Sequence, residues 1–231
     1  MNNLFLQCTY FGAVLTIAAY LFGQWCKRKW KLPICNPLLI AVIVVIALLL
    51  GFHVQYDTYY EGAKYISYLL TPATVCLAIP LYRQLELLKQ HATAILLGVC
   101  SGVVASMGGI FVIAALFHLS HEEYVTFLPK SITTAIGMGV SEELGGIVTI
   151  TVAIIILTGI IGNVIASTVC KVFRIEEPIA KGLAIGTAAH AIGTARALEM
   201  GPIEGAMSSL AVAVAGILTA FTASLDRKSV V

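Results

Sequence analysis

Apolar residues along the 231-residue chain gather into long runs broken by short polar stretches. The runs are Leu4–Trp25, Asn36–His53, Tyr65–Tyr82, Ala92–Phe117, Gly146–Cys170 and Glu204–Ala223. A membrane-spanning helix needs about 20 mostly apolar residues, because a rise of roughly 1.5 Å per residue must cross roughly 30 Å of hydrocarbon. The ten-residue alternation that marks a transmembrane β-barrel is absent from the pattern. The pattern therefore predicts an all-α polytopic membrane protein with about six full transmembrane helices.

Two further stretches break the pattern. Phe127–Gly145 and Ala180–Leu198 are short, glycine-rich and dotted with polar residues. Such sequence is too polar to face lipid, and irregular backbone at membrane depth survives only where protein buries it or a cavity wets it. Both are predicted to be short broken or re-entrant segments. A pair of this kind is the usual pointer to a transporter's binding site. A shift of 57 residues aligns Pro72 with Pro129, Ala78-Ile79 with Ala135-Ile136, Glu86-Leu87 with Glu143-Leu144 and Gly102 with Gly159. This marks a candidate internal, inverted repeat, although membrane composition alone can generate such matches. We expect a single membrane domain over 1–231, with 1–60 as scaffold and dimer helices and 64–225 as a transport core.

Composition sharpens the picture. Hydrophobic residues make up 59% of the chain, charged residues 11%, and the mean hydropathy is +0.94. Soluble domains carry about 25% charged residues, so a soluble enzyme is excluded. A net charge of +2 with no basic stripe excludes nucleic acid as a partner. The six cysteines (Cys8, Cys26, Cys35, Cys76, Cys100 and Cys170) show no CxxC spacing, so neither a zinc site nor a disulfide frame is expected. His121-Glu122-Glu123-Tyr124-Val125 opens like a zinc-protease motif but lacks its second histidine, and neither GxSxG nor a P-loop occurs. No metal, cofactor or enzymatic activity is expected.

The basic cluster Lys27–Lys31 follows the first run, which puts it in the cytoplasm and the N-terminus outside the cell membrane. Arg83 and Lys89 then fall inside, and the loop of His118, His121, Glu122 and Glu123 outside. If 127–145 dips in and returns, Lys171, Arg174, Arg227 and Lys228 are all cytoplasmic, which favours the re-entrant form over a full crossing.

Lys130, Thr134, Gly137 and Ser141 stand at offsets that share one helical stripe, with Pro129 fitting the first helical position. A helix start beside Lys130 would attract anions; the alternative has the lysine snorkelling to headgroups. Thr187, His190 and Thr194 form a second stripe, flanked by Gly186 and Gly193. An ionisable residue inside a membrane segment is by default a functional candidate. Arg196 could grip a carboxylate with two hydrogen bonds or pair with Glu199 three residues on. Glu142, Asn163 and His190 are candidates for proton or ion coupling, against a solvated turn for Glu142 and interhelical glue for Asn163. Pro72 and Pro80 are expected to kink the third run.

L-P-K-S-I-T-T at Leu128–Thr134, Gly145-Gly146, P-A-T-V-x-L-A-I-P-L-Y at Pro72–Tyr82 and E-G-A-M-S-S-L-A at Glu204–Ala211 carry a resemblance. So, above all, does G-x-A-x-G-T-A-A-H-A-I-G-T-A-R-A at Gly182–Ala197. From about Asn36 to the last helix the chain resembles the LrgB/CidB family. One departure is Ala135, where the family commonly has proline, leaving Gly137 and Gly139 to supply flexibility there. The resemblance implies two functions. Bacterial members are antiholin-like or holin-like proteins that modulate murein hydrolase activity and autolysis with a small LrgA/CidA-type membrane partner. Related members, including the plastid glycolate/glycerate translocator, carry small carboxylates.

Two cations within glycine-rich broken segments suit a small organic anion better than they suit a lesion of apolar helices. The expected function is a monocarboxylate carrier working by alternating access. Lys130 and Arg196 would attract the carboxylate, and Ser131, Thr133, Thr134, Ser141, Thr187, Gly193 and Thr194 would complete the site. His190 would couple protons, and a homodimer through the early helices is expected. The holin-like reading stands as the alternative.

Overall fold

In a computed structural model, residues 10–30, 36–69, 72, 75, 76 and 78–226 are described, and they are helical with no strand among them. The chain divides into two compact units, Met1–Cys76 and Leu77–Val231. Leu4–Thr9, most of the stretch around Pro72 and the basic pair Arg227-Lys228 lie outside the described residues, as do Cys8 and Cys35.

The first unit holds α1 (Phe11–Trp30), α2 (Pro37–Gly51) and α3 (Tyr56–Ser67). Asn36 caps α2, its side chain accepting the Leu38 and Leu39 N–H groups ahead of Pro37 at the first turn, which satisfies donors that a helix start otherwise leaves open. Gly12 and Gly23 let α1 approach its neighbours closely: a Cβ at Gly23 would lie 2.6 Å from the Pro37 carbonyl. Ala19, Ala41 and Val45 form the small core there.

The second unit begins with α4 (Ala78–Arg83) and α5 (Leu85–Gln90) and continues with α6 (Ala92–Phe117). After α7 (His121–Phe127) come α8 (Thr134–Leu144), α9 (Val148–Val172), α10 (Pro178–Met200) and α11 (Pro202–Asp226). Among the described residues, the helices long and apolar enough to cross a membrane are Ala92–Phe117, Val148–Val172 and the Pro202–Ala223 part of α11, with α2 a shorter apolar helix. The predicted third run is divided between α3 and α4, and its middle falls outside the described residues.

Both polar segments are interrupted. Residues 128–133 form turns, and α8 is only 11 residues long, about 17 Å at the α-helical rise. Helix α8 starts at Thr134 with Thr133 as its N-cap. Pro129 therefore does not open that helix, and Lys130 lies in the preceding turn rather than on one stripe with Thr134, Gly137 and Ser141. Ser120 and Glu123 form a capping box at α7; the N–H and hydroxyl of Ser120 hold the Glu123 carboxyl below its usual range. Gly145 ends α8 in the left-handed region (φ +80°), where the missing side chain avoids strain.

The second interruption lies within α10. His190 has φ 42° and ψ −142°, splitting the helix into two halves. Such backbone costs a non-glycine residue about 1–3 kcal/mol and persists only where its surroundings fix it. Three elements do so. The His190 ring reaches the Ile155 carbonyl of α9 at 2.9 Å, and because a carbonyl only accepts, Nε2 carries the proton. Asn163 Nδ2 donates to the Ile192 carbonyl at 2.7 Å. Thr194 donates to the His190 carbonyl at 3.1 Å and shares a 2.8 Å hydrogen bond with Ser208 of α11. His190 is 2% exposed and Thr194 is wholly buried.

Glycines make room for this seam. A Cβ at Gly159 would stand 2.7 Å from His190 Cε1, and one at Gly162 would collide with the Ala189 Cβ. On the α11 side a Cβ at Gly186 would sit 2.5 Å from the Ser208 carbonyl, and one at Gly182 2.5 Å from the Glu204 carbonyl. Small residues at such spacing let helix backbones approach closely in a membrane, where packing replaces the hydrophobic drive.

Gly162→Leu should lower stability by about 2–4 kcal/mol, since overpacked cores rarely relax fully. Gly109→Leu, with open space around its Cβ position, should leave stability unchanged or slightly raised. Thermal unfolding of the two variants in the same detergent checks the contrast; equal melting temperatures would refute the account of the seam.

Candidate functional site

Helix α6 and the first half of α10 run side by side in the same direction. Position 98 of α6 faces Leu183 and position 102 faces Thr187, each pair four residues on from the last. Along this seam lies a cavity of about 900 Å³. Its α6 wall is made by Ala94, Gly98, Ser101, Gly102, Ala105 and Ser106, recurring every three or four residues on one face. Its α10 wall is made by Ile179, Ala180, Leu183, Ala184, Thr187 and Ala188. His91 and Glu177, which precede the two helices, mark one end, and the turn residues Lys130 and Ser131 mark the other. From His91 to Ser106 is 15 residues of α6, about 22 Å of helix.

The polar end is small and closely connected. Lys130 Nζ donates to Ser131 Oγ at 2.9 Å and to Ser106 Oγ at 3.3 Å. Ser106 in turn donates to Ser131 at 2.9 Å. An ammonium group carries three donors, so two are engaged with hydroxyls here. Thr187 donates to the Leu183 carbonyl at 2.8 Å; its hydroxyl oxygen still has lone pairs and stands 2.9 Å from where a Gly102 Cβ would be. A cation held by hydroxyls and walled by small apolar residues can bind an anion of matching size.

The other sequence-predicted residues lie elsewhere. Ser141 is wholly buried, sharing a 2.7 Å hydrogen bond with Thr151, which also donates to the Thr126 carbonyl at 3.0 Å. With Thr126 Oγ1 accepting the Ile147 N–H at 2.8 Å, this knot joins α7, α8 and α9. Thr133 and Thr134 start α8 and do not line the cavity. His190, Gly193 and Thr194 form the helix break, between α9 and α11. Arg196 takes its second predicted course: it pairs with Glu199 at 2.7 Å and donates through Nε and Nη2 to Ser167 at 3.1 and 2.8 Å. It is not beside Lys130 in the cavity wall. Glu142 is exposed on α8, and Asn163 is engaged with the Ile192 carbonyl.

The sequence reading brings Lys130, Ser131 and Thr187 to the cavity and misses Ser101, Ser106, Gly98 and Gly102. The missed signal was present: small residues at three- and four-residue intervals along Gly98–Ser106, inside a run apolar enough to read as an ordinary span.

The chain is 40% identical over 206 residues to the holin-like protein CidB of Staphylococcus aureus (strain Mu50 / ATCC 700699), covering 89% of this chain and 90% of that one. It is 38% identical over 211 residues to the antiholin-like protein LrgB of Bacillus cereus (strain B4264), covering 91% and 92%. It is also 36% identical over 208 residues to the uncharacterized protein YxaC of Bacillus subtilis (strain 168), covering 90% of each. No solved structure matches it. Residues 16–226 match the LrgB-like family, and the chain belongs to that family.

Proposed function

We propose that this protein is a cell-membrane carrier of small monocarboxylates of the pyruvate, lactate, glycolate or glycerate kind. The observation that carries the reading is the Lys130 ammonium, held by Ser106 and Ser131, at one end of the cavity between α6 and α10. A cation at membrane depth is costly and is retained for a task. The Lys130 charge would attract the carboxylate, Ser131 and Ser106 would share its oxygens, and Thr187 would meet the keto or hydroxyl oxygen. The cavity is far roomier than a three-carbon acid, so it serves as a vestibule leading to Lys130.

Transport then requires the cavity to close on one side and open on the other. The break at His190 supplies the hinge, since two half-helices can tilt separately where one rod cannot. In this reading His190 couples protons at the hinge, with Glu142 and Asn163 as further coupling candidates, and Arg196 holds the second half-helix to α9 through Ser167. The 57-residue shift carries Ala92–Phe117 onto 149–174, within two residues of α9 at each end, which supports an inverted repeat with α6 and α9 as equivalent spans. Six full spans, an outside N-terminus and a homodimer through residues 1–60 complete the proposal.

A second reading is favoured by the names of the relatives. Holin-like CidB and antiholin-like LrgB argue for a membrane protein that modulates murein hydrolase activity and autolysis with a small LrgA/CidA-type partner. The names speak for that role and the Lys130 cavity for carriage; carriage would also give autolysis control a chemical basis, since acid flux alters the energised state of the membrane.

Uptake of labelled pyruvate, lactate and glycolate into proteoliposomes should saturate and respond to an imposed pH gradient. Lys130→Gln should lower uptake from dilute substrate by about tenfold or more, the worth of one charge-assisted hydrogen bond, while Lys130→Arg keeps part of it. Leakage of dyes regardless of size, indifferent to Lys130, would overturn carriage in favour of the second reading.

Arg196→Gln should lower the melting temperature and change the KM for substrate by less than about twofold, as expected for a residue outside the binding wall. A KM rise matching that of Lys130→Gln would instead place the guanidinium in the substrate's path.

A further inference from the structure

A second cavity, of about 330 Å³, lies where α9 ends and α10 begins. Three cations line it (Lys171, Arg174 and Lys181) against the single carboxylate of Glu176, together with Ser167, Cys170, Ile175 and Met200. Ser167 is the residue on which Arg196 rests, and that arginine is neutralised by Glu199. The excess positive charge therefore belongs to Lys171, Arg174 and Lys181. Nothing in the carrier mechanism uses these residues, and the first cavity does not include them.

We propose that this cavity binds a phosphate anion, presented by the headgroup of an acidic phospholipid. Three observations converge on it. Lys171 occupies the last turn of a 25-residue apolar helix, which is where the hydrocarbon gives way to the headgroup layer. Val172 and Phe173 beside it are 70% and 72% exposed, offering an apolar surface to acyl chains at the same level. Basic pockets between membrane helices are where acidic headgroups lodge.

The third observation removes an objection. A helix C-terminus repels anions because its last carbonyls carry partial negative charge. Here the loop covers them: Phe173 N–H donates to the Val169 carbonyl at 3.0 Å, Arg174 N–H to Lys171 at 3.2 Å and Ile175 N–H to Cys170 at 2.8 Å. Arg174 adopts a left-handed backbone (φ 52°) in doing so. A headgroup held there would join the end of α9 to the first turns of α10, the half-helix that walls the larger cavity.

The test uses the full chain in a neutral detergent, titrated separately with phosphatidylglycerol, phosphatidylcholine and inorganic phosphate while its melting temperature is read. Phosphatidylglycerol should raise the melting temperature saturably and phosphatidylcholine should not. The triple variant Lys171→Gln, Arg174→Gln, Lys181→Gln should shift the phosphatidylglycerol midpoint by about tenfold or more. The charge-keeping pair Lys171→Arg, Lys181→Arg should retain the wild-type midpoint, which separates loss of charge from loss of fold. Removing equal charge at Lys27, Arg28 and Lys29 should leave the midpoint within about twofold. A matching response to inorganic phosphate at a similar midpoint supports the anion site and assigns it to a soluble phosphate source; a response to the lipid alone assigns it to the membrane. Equal response to both lipids, or an unchanged midpoint in the triple glutamine variant, or an equal loss from the Lys27–Lys29 variant, would overturn the proposal.

Discussion

A chain that interrupts a helix within a bilayer has to satisfy every freed N–H and C=O from protein, because lipid offers no partner. The architecture of the second unit is organised by that constraint at His190. The ring of His190 reaches α9, its carbonyl accepts from Thr194, Asn163 takes the Ile192 carbonyl, and Ser208 steadies Thr194. Each of these groups would be costly alone in an apolar layer, and each has a partner, with His190, Thr194 and Ser208 buried and Asn163 half-buried. The glycines at 159, 162 and 186 follow from the same constraint, since the partners come within hydrogen-bond reach only if the backbones are close.

This arrangement separates two jobs that one sequence stripe had combined. Thr187, His190 and Thr194 fall on one helical face only if the helix is continuous. The break folds the second half back against the first, with Gly193 coming up to Ile185, so Thr187 faces the cavity while His190 and Thr194 turn toward α9 and α11. The first polar segment divides in the same way. Lys130 and Ser131 lie in turns and reach Ser106, whereas Ser141, on a helix that begins later, joins Thr126 and Thr151. In both segments, polar residues before the interruption line the cavity and those beyond it tie helices together.

Much of this was legible in the sequence, and the remainder has a definite reason. Apolar runs at 92–117, 146–170 and 204–223 anticipated α6, α9 and α11 within a few residues, because period and hydropathy are properties of single segments. Glycine and polar density marked both interruptions for the same reason. The position of the second break was not legible: a left-handed residue is expected at a glycine such as Gly186 or Gly193, and the chain places it at His190. Partners distant in sequence, the Ile155 carbonyl 35 residues away together with Asn163 and Ser208, make that choice stable, and no local pattern encodes them. Arg196 shows the converse, for its Glu199 partner lies one turn on and was visible as an alternative from spacing alone.

The Lys130 site can be weighed against a purely structural role for the lysine. A snorkelling lysine extends its ammonium toward water and headgroups, with its stem laid on apolar surface. Lys130 instead turns its ammonium to Ser106, on a long apolar helix, and to Ser131, a buried neighbour. Hydroxyls solvate an ammonium but do not neutralise it, so the positive charge is still uncompensated by these contacts. A purely structural cation inside a membrane protein is more economically built with a carboxylate partner, as Arg196 is with Glu199. At Arg196 the chain supplies such a partner, and at Lys130 the contacts are hydroxyls beside an open cavity. That difference between two cations of one chain is what supports the proposed anion site at Lys130.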